Sequence, residues 1–346
     1  MAHVGILLAA YGGPRNLDEV APFLHSIMRT EPTETALGDA RRRYLTIGGF
    51  SPLPFMAERI AVQLERELNG VALAEVTSDE GVGLLGVPQS LPRAENVKMP
   101  VVVGHLHSEP SIADAVRELA GRGARTLVVL PLSPFDSAST TTAYRAAVGE
   151  AVADLAGVRV VDAANYHLSR DFITSLTDNL AAVLFSEETK DLRPIVVFSA
   201  HSLPADEVMA DSRYVDQLKE TAEAVASSVG IGKADGFEAL PGIDAFGGHG
   251  SAVPWLLAFQ SKGRRGGEWI GPDLDAVVDA AVEQGFEAVV VSPIGFAVDH
   301  METLYDLDVA CAERALSADR EFVRAAAPND SRELIHALSE AVRKVI

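Results

Sequence analysis

The segment "VVFSAHSLP" carries an apolar run to His201 and halts it at Leu203-Pro204. A free imidazole titrates near about 6.5, so a histidine held at a strand end could take a proton or bind a metal ion at neutral pH. A second candidate, "VDHMETLYDLD" (298–308), follows the apolar run "AVVVSPIG". If Asp299 caps a helix there, Glu302 and Asp306 lie one turn apart on one face and offer two carboxylates to a cation. Asp299-x-x-Glu302 also fits the capping box, in which Glu302 only satisfies a backbone N–H, and the pattern alone serves both readings. In "GHLHSEP" (104–110), His105 and His107 would share one face of a strand and could hold zinc. No second ligand pair stands near them, so a structural role is expected.

Other stretches offer weaker chemistry. In "RRRY" (41–44) a guanidinium could pair with a carboxylated ligand, but three successive arginines cannot share a helical face. Arg43 and Tyr44, beside the "IGGFSP" loop, are the pair expected to face a site placed there. "SPFDSASTTTAY" (133–144) brings six hydroxyl side chains between Ser137 and Tyr144, either as capping and turn residues or as donors around an anionic group. "GVGLLG" (81–86) satisfies G-x-G-x-x-G but follows "TSDE" in place of a strand, so nucleotide binding is not expected. Cys311 is the only cysteine, which excludes an internal disulfide, a CxxC pair and a cysteine-ligated iron–sulfur cluster within the chain. Any metal must be held by His, Tyr or carboxylates.

Positioning these groups requires a scaffold, and the hydrophobic pattern predicts one. "GILLAA" (5–10), "TLVVLPLS" (126–133), "PIVVFSA" (194–200) and "AVVVSPIG" (288–295) are continuous apolar runs ending in turn residues. They are separated by helical-period segments such as "IADAVRELAGRG" (112–123) and "LDAVVDAAVEQG" (274–285), the signature of parallel strands buried on both faces in a doubly wound α/β fold. The chain also repeats itself. "RGARTLVVLPL" lies over "QGFEAVVVSPI" at an offset of 162, and "ILLAAYGGP" over "VVFSAHSLP" at 190, placing Tyr11 on His201. Two similar α/β halves follow, with Tyr11 and His201 leaving the carboxyl ends of equivalent strands, where open α/β sheets bind ligands. The expected domains are 1–160 and 161–320, with a helix in 321–346 packing back on the first. Stretches 76–99 and 236–254 read as loops.

Composition narrows the function classes. With 49 Asp and Glu against 29 Lys and Arg in 346 residues, the net charge of −20 repels nucleic acid and anionic lipid. An anionic substrate would need its own local arginines. Met1 to Gly13 has one apolar stretch with no basic segment before it, and no run of about 18 apolar residues occurs anywhere. The expectation is a cytoplasmic protein without a membrane anchor, monomeric and with no nucleic-acid partner.

Taken together, the blocks "GILLAAYGGP", "YLTIGGFSPL", "PSIADAV", "VVLPLSPFDSASTTTAY", "FSAHSLP", "AFQSKG" with "WIGPDL", and "SPIGFAVDHMETLYDLD" resemble the ferrochelatases through nearly the whole chain. The resemblance implies two Rossmann-like domains with a porphyrin cleft between them, Fe²⁺ and a porphyrin as substrates, and His201 and Glu302 as the catalytic, metal-binding pair. A tyrosine at position 11 is characteristic of the Gram-positive type, which metallates coproporphyrin III, and it implies that Tyr11 can ligate the product iron. Family matching further assigns Arg29, Arg43, Tyr44, Ser51 and Tyr144 to porphyrin contact and Asp306 to a secondary metal role. An acidic residue sometimes found further along that helix is here Ala310, a departure from the family pattern. No tightly bound cofactor and no iron–sulfur cluster is expected. Insertion must remove two pyrrole protons, a task suited to a neutral His201. The alternatives are a protoporphyrin IX ferrochelatase, a sirohydrochlorin cobalt chelatase, and a non-catalytic haem- or metal-binding protein.

Overall fold

A computed structural model describes residues 3–74, 90–233, 253–263 and 266–346. "GVGLLG" (81–86) and nearly all of 236–254 lie outside the described residues. The chain divides into two compact units: Met1–Tyr166 with Val298–Met301 and Asn329–Ile346, and His167–Ala297 with Glu302–Pro328.

In the first unit β1 (His3–Ala10), β2 (Val101–His105), β3 (Ala124–Pro131) and β4 (Arg159–Asp162) form a parallel sheet in the order β2-β1-β3-β4. β1, β2 and most of β3 are apolar without alternation because both faces are covered, whereas the edge strand β4 is largely exposed. Leu7, Ala9, Leu127 and Val129 form one core with Ile112, Val116, Leu119 and Val148 of the helices Ile112–Gly121 and Ala143–Val152. The helix Leu53–Leu68 packs against β1 and β2, and the helix Arg332–Arg343 against β3 and Leu53–Leu68. That C-terminal helix buries Leu334, Ile335, Leu338 and Val342, a stripe at helical spacing.

The second unit holds β5 (Pro194–His201), β6 (Gly232–Lys233), β7 (Pro254–Gln260), β8 (Ala288–Ser292) and β9 (Glu321–Arg324), all parallel, in the order β6-β7-β5-β8-β9. Ile195, Val197, Leu256, Ala258, Val289 and Val291 form its core with Val277, Val278 and Ala281 of the helix Leu274–Glu283.

The sequence repeat is a structural one. The order β2-β1-β3-β4 recurs as β7-β5-β8-β9. Ile6 pairs with Val128 and Val196 with Val290, so the two different sequence offsets describe a single register. Even the connections match: the His105 N–H donates to the Pro110 carbonyl at 2.9 Å, and the Phe259 N–H to the Pro272 carbonyl at 2.8 Å. Helices capped by Ser111 and Asp273 then follow, each ending before a glycine, Gly123 or Gly285, in the left-handed conformation that stops a helix at least cost.

Candidate functional site

His201 is the last residue of β5, in register with Gln260 of β7. Three tethers fix the turn around it. The Tyr214 hydroxyl donates to the His201 carbonyl at 2.9 Å, the Ser202 N–H donates to the Gln260 carbonyl at 2.8 Å, and the Ser202 hydroxyl donates to the Ile270 carbonyl at 2.7 Å. The His201 Nδ1 bonds the Ser202 carbonyl, which leaves Nε2 to meet Glu302 Oε1 at 3.3 Å. The two side chains are 31% and 23% exposed, so the pair is reachable from solvent yet mostly enclosed.

The element that carries Glu302 differs from the expected one. Helical winding begins at Met301 and runs to Leu304, and Asp299 is tied to Asn329 by reciprocal bonds: its N–H donates to Asn329 Oδ1 at 2.9 Å, and Asn329 Nδ2 donates to its Oδ2 at 2.8 Å. Asp299 thus ties the start of this segment to Asn329, and Glu302, in the first turn of the short helix, directs its carboxylate to His201. After Tyr305 the chain winds into wider π turns, Asp306–Cys311. Asp306 accepts from the Ser261 hydroxyl at 2.5 Å.

Gly295 brings this segment onto β5. Its N–H donates to the Ser199 carbonyl at 3.0 Å, and a Cβ placed on it would lie 2.6 Å from the Ala200 Cβ and 2.7 Å from the Ala200 Cα. Backbone cannot retreat as a flexible side chain would. We expect Gly295→Ala to cost about 1–3 kcal/mol and to slow turnover, because relief moves the Glu302 segment away from His201. Urea denaturation together with the insertion rate checks this, and wild-type values for both would show that the close approach is unimportant.

Electrostatics reverse the expected protonation of His201. Burial favours the neutral imidazole, but the Glu302 carboxylate, the Ser202 carbonyl and the charge of Asp306 outweigh it and raise the pKa from 6.5 to about 9. The resting group at pH 7 is thus an imidazolium, and the neutral base expected from the sequence is corrected. Because the folded pKa lies above the unfolded one, the pair's contribution to stability is complete below about pH 6.5 and is lost as pH rises through about 9. In Glu302→Gln burial prevails, so the His201 imidazole resonances should titrate far below 9 by NMR; a pKa that stays near 9 would show that Glu302 does not set it.

The first unit carries the remaining expected residues. Tyr11, next after β1, is half-buried, with its ring 4.6 Å from that of His107 and 6.4 Å from that of Phe23. His107 bonds the Ser26 hydroxyl through Nδ1 at 2.9 Å, and burial and the Arg29 guanidinium lower its pKa to about 4. It is a neutral ring at pH 7. Ser51 is buried against Gly13 and donates its N–H to the Pro14 carbonyl at 2.7 Å. Arg29 is exposed at the left-handed end of the helix Val20–Met28.

Three expectations change here. Arg43 is exposed and Tyr44 is 4% exposed, since successive helical positions diverge by about 100°, so they are not a pair facing one site. Tyr144, 1% exposed, belongs to the core with Leu7 and Val129, and burial and Tyr11 raise its phenol pKa. As folded it offers a ligand almost no surface. His105 and His107 do not alternate along a strand, because β2 ends at His105, which is buried with its pKa lowered to about 3 by burial and by Arg15. Hydroxyls of the 137–142 stretch bond one another and the local backbone: Ser137 Oγ lies 2.6 Å from Thr140 Oγ1, and Thr141 Oγ1 is 3.2 Å from the Ser137 carbonyl that accepts from it. These are local turn contacts, and Ser137 makes no side-chain capping bond to the helical turns that follow it. Gln260, Ser261, Tyr214 and Gly295 escaped sequence reasoning, although "AFQSKG" marks two of them by setting polar residues at the end of an apolar run.

Two copies of one parallel α/β plan, with a histidine–carboxylate pair at the carboxyl end of a central strand, define a duplicated α/β protein whose candidate site lies where such sheets bind ligands. The ferrochelatase family model matches residues 86–346, well over half of the chain. This chain belongs to the ferrochelatase family, enzymes that insert a metal into a porphyrin. A coproporphyrin III ferrochelatase from Halalkalibacterium halodurans is 29% identical over 343 residues, 99% of this chain and 96% of that protein. A ferrochelatase from Deinococcus radiodurans is 30% identical over 345 residues, 99% of this chain and 95% of that one. Among solved structures, SirB from Bacillus subtilis with Fe³⁺ matches with a TM-score of 0.50 at 11% identity, covering 99% of this chain and 94% of that one, a likeness of fold alone. Among the described residues no helix is long and apolar enough to cross a membrane.

Proposed function

We propose that this chain inserts Fe²⁺ into coproporphyrin III to give Fe-coproporphyrin in haem biosynthesis, with His201 and Glu302 at the point of insertion. The observation that carries the assignment is the 3.3 Å contact of His201 Nε2 with Glu302 at the end of β5. Insertion exchanges two pyrrole N–H protons for one dication. An arriving cation repels the imidazolium proton, which leaves by way of Glu302; the neutral imidazole then accepts the first pyrrole proton, passes it to Glu302 and so to solvent, and accepts the second in turn. Glu302, with Asp306 four residues on, supplies the negative charge that draws the metal in and carries protons away. Asp306 is the secondary group because its carboxylate is already engaged by Ser261.

Two lines support coproporphyrin as the substrate: Tyr11 stands where the Gram-positive type has its tyrosine, and relatives named coproporphyrin III ferrochelatases match over nearly the whole chain. Tyr11 is assigned as a ligand of the product iron, and Arg29 and Arg43 as donors for the propionates of an anionic substrate that the net charge of −20 would otherwise repel; Ser51, 2% exposed, offers a ligand as little surface as Tyr144 does. The test is anaerobic Fe²⁺ insertion followed by loss of free-porphyrin fluorescence. Coproporphyrin III should turn over faster than protoporphyrin IX. The reverse preference would keep the enzyme class and remove the Tyr11 argument, and no turnover with either would return the protein to a binding role.

A further inference from the structure

Gln260 is 4% exposed at the end of β7, too enclosed to meet a substrate, yet it grips both segments that carry the proposed metal-handling groups. Its carbonyl accepts the Ser202 N–H at 2.8 Å, and its side-chain Nε2 donates to the Glu302 carbonyl at 2.8 Å. Its Oε1 is buried with no hydrogen-bond partner among the described residues, a cost that an apolar residue of the same length would avoid. The next residue, Ser261, holds the left-handed conformation at φ 58°, unfavourable for a residue with a Cβ, and from there donates its hydroxyl to Asp306 at 2.5 Å. Both departures from the cheapest fold point at the same two carboxylate-bearing residues.

Resting on the reading of His201 and Glu302 given above, we infer that Gln260 and Ser261 are positioning residues: one dipeptide sets the reach of Glu302 and Asp306 relative to His201, at some expense in stability. Neither needs to touch the porphyrin for this role.

The test uses the porphyrin-free full chain titrated with Co²⁺ by calorimetry, alongside thermal unfolding and coproporphyrin fluorescence titration. Gln260→Leu and Ser261→Gly, the second of which keeps the left-handed backbone while removing the hydroxyl, should each weaken Co²⁺ binding by about 10–100-fold, as loss of groups that orient metal ligands does. Melting temperature should hold or rise, and coproporphyrin affinity should change by less than about twofold, a split that a merely structural role does not produce. Co²⁺ affinity equal to wild type in both variants overturns the inference, as does a loss that tracks equal losses in melting temperature and porphyrin affinity. If Gln260→Leu fails to fold, Ser261→Gly decides alone. His201→Ala runs in parallel: should it leave Co²⁺ affinity unchanged, the site assignment itself fails, an outcome distinct from failure of the positioning role.

Discussion

Replacing His201 by alanine is expected to slow Fe²⁺ insertion by about 10²–10⁴-fold, the usual worth of a positioned acid–base group, with coproporphyrin affinity little changed and a loss of stability that fades as pH rises through about 9. The separation of effects follows from where the side chain lies. Backbone bonds hold the turn without it: the Tyr214 hydroxyl reaches the residue 201 carbonyl, and the Ser202 N–H reaches the Gln260 carbonyl. What disappears is the ring that faces Glu302. Single-turnover insertion with excess enzyme, read beside equilibrium fluorescence quenching, measures the two separately. Insertion near the wild-type rate would remove His201 from the mechanism.

Arg59→Met is expected to cost about 3–5 kcal/mol in urea unfolding, the largest stability effect foreseen for a single exchange. The Arg59 side chain is 2% exposed and its Nε lies 2.7 Å from Asp330 Oδ2, itself 14% exposed. Methionine can fill much of the volume but leaves the Asp330 carboxylate without this partner in a region of little water. Because Asp330 directly precedes the capping Ser331 of the helix Arg332–Arg343, the loss falls on the segment that covers β3. A double-mutant cycle with Asp330→Asn isolates the pair, and a coupling below about 1 kcal/mol would class it with solvent-screened surface pairs.

Much of this molecule is written in local pattern. Burial of a strand on both faces demands uninterrupted apolar residues, so the runs at 5–10, 126–133, 194–200 and 288–295 announced β1, β3, β5 and β8. Duplication left its mark as two offsets, and these proved to be one sheet register because parallel pairing constrains all strands together. His201 stood out as a polar, titratable residue closing a buried strand, but a structural histidine accounts for that pattern too, and its assigned role came from the family resemblance. Glu302 was legible only together with its family context, because the capping box gives an equally local account of the same spacing.

Residues in sequence order say which side chains exist; they do not say which way each one turns or what stands beside it. Arg43 and Tyr44 are adjacent in the chain but diverge around a helix, and Tyr144 lies in a hydroxyl-rich stretch but packs into the core. The raised pKa of His201 depends on a carboxylate about one hundred residues away, brought close only because Gly295 lacks the Cβ that would collide with Ala200. The sequence by itself determined the α/β class and the internal repeat, since these rest on periodicity and residue type, while the pairing of His201 with Glu302 came from the resemblance of whole blocks to one family. Tertiary structure alone decided the protonation of that pair and the residues that hold it in place, because electrostatic coupling and steric approach act through space, falling off over a few ångströms whatever the separation along the chain.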